Sequence, residues 1–218
     1  MSYSLNTTIL EPLSKKKPKN AVILCHGYGG DGKDISLLAS YWQKYLPDTL
    51  FVCPDGPEKC TVSTTGFQWF DLTDQSPDQI LTKSLIAEIK LNKLIDEVIE
   101  KNNLKDNQIA IGGFSQGCMI CIQTGIKRKN KINSILGYSG KIIDTNHLGK
   151  NLISRPNIIL MHGDKDEVVS INFLLEAKDF FSKNQYKIDT KIFINCEHRI
   201  PTEGSSAGLA FLKKNFIT

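Results

Sequence analysis

Apolar positions along the chain fall into two patterns. Short uninterrupted runs lie at Ala21–Cys25, Leu50–Cys53, within Ile109–Gly113, at Ser134–Leu136, and within Asn157–Met161 and Lys191–Asn195. They lack the alternation of a half-exposed strand, so they predict buried strands of a parallel sheet covered on both faces. Between them lie longer segments with helical spacing. Ile35–Leu46 reads as a helix that Pro47 helps to end, and Ile80–Lys101 carries Leu91, Leu94, Ile95 and Val98 at i, i+3, i+4 and i+7. A further helix opens at Cys118. Val169–Lys183 holds Phe173, Leu174, Ala177, Phe180 and Phe181 near one face, and Thr202–Phe216 closes the chain, capped near Thr202 and weakened by Gly204 and Gly208. A first strand within Leu5–Glu11 is set apart by the basic stretch Ser14–Asn20, read as a solvated turn. The pattern predicts one α/β domain over residues 1–218, a mostly parallel central sheet with helices on both faces. Only residues 56–77 break the rhythm, as a long polar loop of the kind that often carries function.

Three strand ends carry candidate chemistry. Gly113-Phe114-Ser115-Gln116-Gly117 sits between an apolar strand and a helix, the setting of a G-x-S-x-G nucleophile elbow. Such a turn strains the serine backbone and projects the Ser115 hydroxyl, while the Gln116 N–H points outward from a helix N-terminus, where an oxyanion forms. Downstream, the strand ending at Met161 runs into His162-Gly163-Asp164-Lys165-Asp166, and a later strand ends just before His198. Serine is a poor nucleophile unaided, so a histidine must take its proton and an acid must hold the imidazole. Spacing alone does not choose between Asp164 and Asp166. His26 has two readings: a metal ligand with His162 or His198, or a hydrogen-bonded support for the glycine-rich turn Gly27–Gly32. No carboxylate spacing favours the metal. That turn also lacks a phosphate-loop pattern. His162 reads as ordering the turn around the acid, and His147 as a surface residue.

Six blocks carry a family resemblance: Leu24–Gly32, Val52–Pro57, Gln68-Trp69-Phe70-Asp71, Gly113–Gly117, Tyr138-Ser139-Gly140 and His162–Asp166. Through them the chain resembles the phospholipase/carboxylesterase family of α/β-hydrolases, which includes acyl-protein thioesterases. The resemblance implies an α/β-hydrolase fold and cofactor-independent, metal-independent cleavage of carboxylic esters or thioesters. It assigns Ser115 as nucleophile, Asp166 as acid and His198 as base, with the Tyr28 and Gln116 N–H groups as oxyanion hole. Phe67, Trp69 and Phe70 then have two readings, core packing under the long loop or an apolar wall for an acyl chain. The chain departs from the family pattern at Glu167 and at Cys196-Glu197, beside the acid and the base, which bears on loop shape and on charge near His198. Family members are often dimers, so a homodimer is allowed. A ligand-binding relative without catalysis and a serine peptidase are the alternatives; reaction of Ser115 with a fluorophosphonate separates the first from an enzyme.

Charge and cysteines narrow the class. Twenty-seven basic against 23 acidic residues leave a net charge of +4, too small to argue for nucleic acid. No apolar run approaches the roughly 20 residues of a membrane span, and Met1–Asn6 has no basic or apolar leader region. Six cysteines sit mostly in predicted strands and helices, and Cys118 and Cys121 read as core residues on one helical face rather than a redox pair. Free thiols fit a reducing cytoplasm.

Overall fold

The structure, a computed structural model, describes residues 3–216, so the leader reading of Met1–Asn6 lies partly outside it. The chain opens with β1 (Thr7–Leu10), β2 (Asn20–Cys25), α1 (Gly32–Gln43) and β3 (Thr49–Pro54). A small antiparallel hairpin, β4 (Glu58–Lys59) and β5 (Phe67–Gln68), precedes the long α2 (Pro77–Asn102). Then follow β6 (Ile109–Phe114), α3 (Gln116–Lys127), β7 (Ser134–Tyr138), α4 (Thr145–Lys150), β8 (Asn157–Gly163), α5 (Asn172–Lys183), β9 (Asp189–Phe193) and α6 (Thr202–Asn215).

Seven strands form one sheet in the order β1-β3-β2-β6-β7-β8-β9. Only β1 is antiparallel to its neighbour; the rest run parallel. The apolar runs follow from that geometry, because both faces of each strand are covered. On β2, Ala21, Ile23 and Cys25 pack with residues of α2, α3 and α5. Val22 and Leu24 pack with Trp42 of α1 and Leu212 of α6 on the other side. The chain leaves β2 toward β3 on one side and returns with β6 on the other, pairing Ile23 with Ile111 and Cys25 with Gly113. That reversal makes a crevice at the carboxyl ends of β2 and β6, where open α/β sheets bind ligands.

Several boundaries depart from the pattern reading. α3 opens at Gln116, before Cys118, because the turn at Ser115 leads straight into the helix. α5 begins at Asn172 rather than Val169, whose N–H and C=O are bonded to Asp166 and His162. α6 is preceded by Pro201, with no side-chain cap from Thr202. α4 buries only Leu148, too little for a helical period, so the sequence shows no sign of it. The glycines of α6 have a packing cause. Tyr138 Oη donates to Gly204 O at 3.1 Å, and a Cβ on Gly208 would lie 2.0 Å from Tyr138 Oη and 2.9 Å from the Trp42 ring.

Alanine at Gly208 gains helix propensity but overpacks the junction of α6, β7 and α1, so Gly208→Ala should lower unfolding stability by about 1–3 kcal/mol. Gly149 in α4 has room, its nearest neighbour being Phe180 at 3.6 Å, so Gly149→Ala should be neutral or stabilising by up to about 1 kcal/mol. Urea unfolding of both variants checks the pair; equal effects would contradict the packing account.

Candidate active site

Ser115 sits between β6 and α3 with φ 53° and ψ −118°, a left-handed backbone for a residue with a side chain. The strain is held by its surroundings. Ser115 N–H donates to Tyr138 O at 2.8 Å. A Cβ on Gly113 would lie 2.3 Å from Gly117 C, and one on Gly117 would lie 2.2 Å from Cys25 O. Only glycine lets the strand and helix approach each other and the end of β2 this closely.

The turn after β2 lies against this elbow. His26 is buried with both ring nitrogens engaged: Nδ1 donates to Gly27 O at 2.6 Å, and Nε2 accepts from Gly56 N at 2.8 Å. That pairing requires the neutral ring, and burial lowers its pKa below the usual 6.5 against the upward pull of Gly27 O and Asp55. Among the described residues, neither Tyr28 N–H nor Gln116 N–H donates to a protein acceptor. Both are therefore free to meet a developing negative charge.

The long segment 56–77 is pinned to both turns. Phe67 N–H donates to Gly30 O at 2.8 Å, and Gly29 N–H donates to Phe67 O at 2.9 Å. Trp69 Nε1 donates to His26 O at 3.1 Å. The buried Gln116 carboxamide accepts from Trp69 N at 2.8 Å and donates to Phe70 O at 2.6 Å. One side chain at the head of α3 thus holds the loop to the elbow, a role that sequence reasoning missed because it saw only the Gln116 backbone. At the loop's far end Asp71 pairs with Lys83 of α2 at 2.8 Å. The Lys83 ammonium and the Thr73 hydroxyl hold the Asp71 carboxyl well below the usual carboxylate range.

His198 and Asp166 follow β9 and β8, adjacent strands of the sheet. His198 Nδ1 lies 2.7 Å from Asp166 Oδ2, and the Asp166 carboxyl is fully buried. Its other oxygen accepts from Val168 N at 3.0 Å and Val169 N at 2.8 Å. Burial alone pushes this carboxyl up, but the bonds from His198 and the Val169 N–H outweigh it, with the His198 charge and the Ser139 side chain adding to them, and hold it below 3.8. His162 Nε2 donates to Val169 O at 2.8 Å and closes the turn; burial lowers its pKa. Asp164 instead accepts from Cys196 N at 3.2 Å and tethers the loop that carries His198. The His198 ring rests on Phe114, with centroids 4.6 Å apart. Glu197 is exposed, and among the described residues it forms no ion pair with His198. The departure at Glu197 therefore does not place a carboxylate on the ring.

Beside Ser115 runs a groove of about 280 Å³, walled by Phe70, Leu72, Ile80, Met119, Ile143 and Phe173, with Tyr28, Gln116 and Lys141 also on it. The two readings of the loop aromatics divide among them. Of the three loop aromatics only Phe70 reaches the groove. Trp69 is buried behind the elbow, and Phe67 lies under Lys59, whose ammonium is 3.9 Å from the ring centroid. Strand pairing with Lys59 and the backbone bonds to Gly29 and Gly30 turn Phe67 away. His147, read as a surface residue, is half-buried, with Nε2 3.2 Å from Lys127 Nζ.

Comparison with known proteins agrees with this architecture. The family model described as Phospholipase/Carboxylesterase matches residues 8–216. Acyl-protein thioesterase 1 of Kluyveromyces lactis is 28% identical, covering 92% of this chain and 94% of that protein. The Saccharomyces cerevisiae protein of the same name is 28% identical over 90% and 93% of the two chains. Among solved structures, the esterase PE8 superposes with a TM-score of 0.93 at 28% identity, over 97% of this chain and 99% of that one. Arabidopsis thaliana SOBER1, at 16% identity and a TM-score of 0.79 over 90% and 98% of the two chains, shares the fold.

The two buried neutral histidines set a pH dependence of stability. Their folded pKa values lie below 6.5, so the unfolded chain binds more protons. Their contribution is full above about pH 6.5 and falls as pH drops below it. Asp166, lowered from 3.8, adds a second loss as pH falls through the carboxylate range. Urea midpoints should decline from pH 7 to pH 5, and His26→Gln should flatten that decline while lowering the midpoint at pH 8. Parallel pH curves for the two proteins would remove His26 from the account.

Proposed function

Because the chain belongs to the phospholipase/carboxylesterase family, and is on that ground a carboxylic ester hydrolase, we propose that it cleaves esters or thioesters through an acyl-enzyme on Ser115. The observation that carries this reading is the 2.7 Å contact between His198 Nδ1 and a buried Asp166 whose second oxygen is already satisfied. Asp166 then accepts a hydrogen bond from the Nδ1–H, which leaves Nε2 as the base. His198 takes the proton from Ser115 as its oxygen attacks the carbonyl carbon. The oxyanion meets the free N–H groups of Tyr28 and Gln116, each such donor typically contributing about 3 kcal/mol. Collapse of the intermediate breaks the bond to the alcohol or thiol, which leaves with the proton from His198. Water, deprotonated by His198, then releases the carboxylic acid and restores Ser115.

The apolar groove takes the acyl chain, supported by its walls of Phe70, Leu72, Met119 and Phe173 beside Ser115. Thioesters as substrates are supported by the name of the yeast relatives. No described helix is long and apolar enough to cross a membrane. The six cysteines are free and buried, which supports work in a reducing cytoplasm.

A fluorophosphonate should label the wild type and not Ser115→Ala. Ser115→Ala and His198→Ala should each remove nearly all esterase activity, with the double variant scarcely worse. Asp166→Asn should cost up to about 10⁴-fold in kcat, far more than Asp164→Asn. Multiplicative losses, or a larger loss at Asp164, would contradict the assignment.

The acyl assignment has its own test in a series of p-nitrophenyl esters from acetate to octanoate. Phe70→Ala should lower kcat/KM for the medium chains by about 1–3 kcal/mol and spare acetate, as lost apolar pocket contacts do. Phe67→Ala should leave the chain-length profile unchanged from the wild type. A profile changed by Phe67 and not by Phe70 would move the acyl chain out of this groove.

A further inference from the structure

Lys141 stands apart from everything else in the groove beside Ser115. It is the one charged side chain among the described residues that line it. It follows the turn at Ser139-Gly140, where Ser139 has φ 48° and its N–H is held by Met161 O at 2.8 Å. The backbone that presents Lys141 is therefore fixed by the end of β7. The side chain is half-buried, with its ammonium 4.8 Å from the centroid of Phe173 on the same wall. Among the described residues, no carboxylate lies within ion-pair distance of it. Lys127, by contrast, meets Glu88 at 2.7 Å, and Lys83 meets Asp71 at 2.8 Å.

A cation on an apolar wall attracts an anion more strongly than one in open water, because the surroundings screen it less. Phe173 holds the ammonium through its ring face without neutralising it. The groove thus offers apolar contact near Ser115 and one positive charge with no carboxylate partner among the described residues. We propose that Lys141 is a specificity-determining residue that selects acyl groups ending in a carboxylate, so that hemi-esters or hemi-thioesters of dicarboxylic acids are favoured. The methylenes of such an acyl group lie along Phe70, Met119 and Ile143 while its terminal carboxylate meets the Lys141 ammonium. This rests on the assignment of the groove to the acyl chain made above. A phosphate on the alcohol side is a different placement, and the test separates it.

The experiment compares kcat/KM for p-nitrophenyl hydrogen adipate and suberate with the neutral hexanoate and octanoate, in the wild type and in Lys141→Met, Lys141→Arg and Lys141→Glu. The carboxylate-to-neutral ratio should fall about tenfold in Lys141→Met, as expected for loss of one charge-assisted contact. It should be largely kept in Lys141→Arg and fall further in Lys141→Glu. Added salt should depress the ratio in the wild type and not in Lys141→Met. An unchanged ratio in Lys141→Met overturns the proposal, and so does an equal loss on both ester types, which would make Lys141 a shaper of the groove. A loss seen only with lysophosphatidate, whose charge is on the alcohol side, also overturns it. Neutral-ester hydrolysis that depends on Ser115 tests the functional reading separately; its absence would end that reading and this proposal together.

Discussion

The close backbone approach at Gly117 is the constraint on which the rest of the site depends. With no Cβ there, α3 starts against the last carbonyls of β2, a Cβ position only 2.2 Å from Cys25 O. This contact forces Ser115 into its left-handed conformation and aims its side chain away from the sheet. Tyr28 and Gln116, from different strand ends, both lie on the groove beside Ser115, and among the described residues neither N–H donates to a protein acceptor. A larger residue at Gly117 would separate them and leave the serine unsupported.

From that contact the arrangement spreads through hydrogen bonds that each serve two turns. Gln116 bonds Trp69 and Phe70, and Trp69 in turn bonds the His26 carbonyl. His26 closes the circuit by accepting from Gly56 at the start of the same loop. The long segment 56–77 is thereby a wall rather than a free lid, and its aromatics divide between support and lining. On the other side of the elbow, the buried carboxyl of Asp166 is tolerable because backbone N–H groups and His198 fill its lone pairs. The same satisfaction keeps it ionised, as the orienting role proposed for it requires.

Much of this was legible in the residues. Uninterrupted apolar runs predict a sheet covered on both faces, and the strands stand where those runs lie. The glycines at Gly113 and Gly117 announce a tight strand-to-helix turn, because their small size is what the turn requires. Histidine and aspartate after late strands mark the same edge of the sheet. Helix limits were less legible where local bonds override periodicity, as at Val169, which is bonded to Asp166 and His162 before α5 begins.

The sequence by itself determined the layer architecture, the edge of the sheet that carries chemistry, and the residue types gathered there. These follow from local periodicity and from motifs at strand ends, each contained in a short stretch of chain. The tertiary structure placed Asp166 rather than Asp164 against His198, a choice that spacing alone left open, put Phe70 on the groove and Phe67 under Lys59, and left Lys141 beside Ser115 with no carboxylate partner among the described residues. Each of these depends on where a side chain points once the chain is folded, within the hairpin for Phe67 and Lys59 and across strands far apart in sequence for the others. Residues two apart, such as Asp164 and Asp166, have the same composition and nearly the same spacing, and one turn's hydrogen bonds send them to different partners.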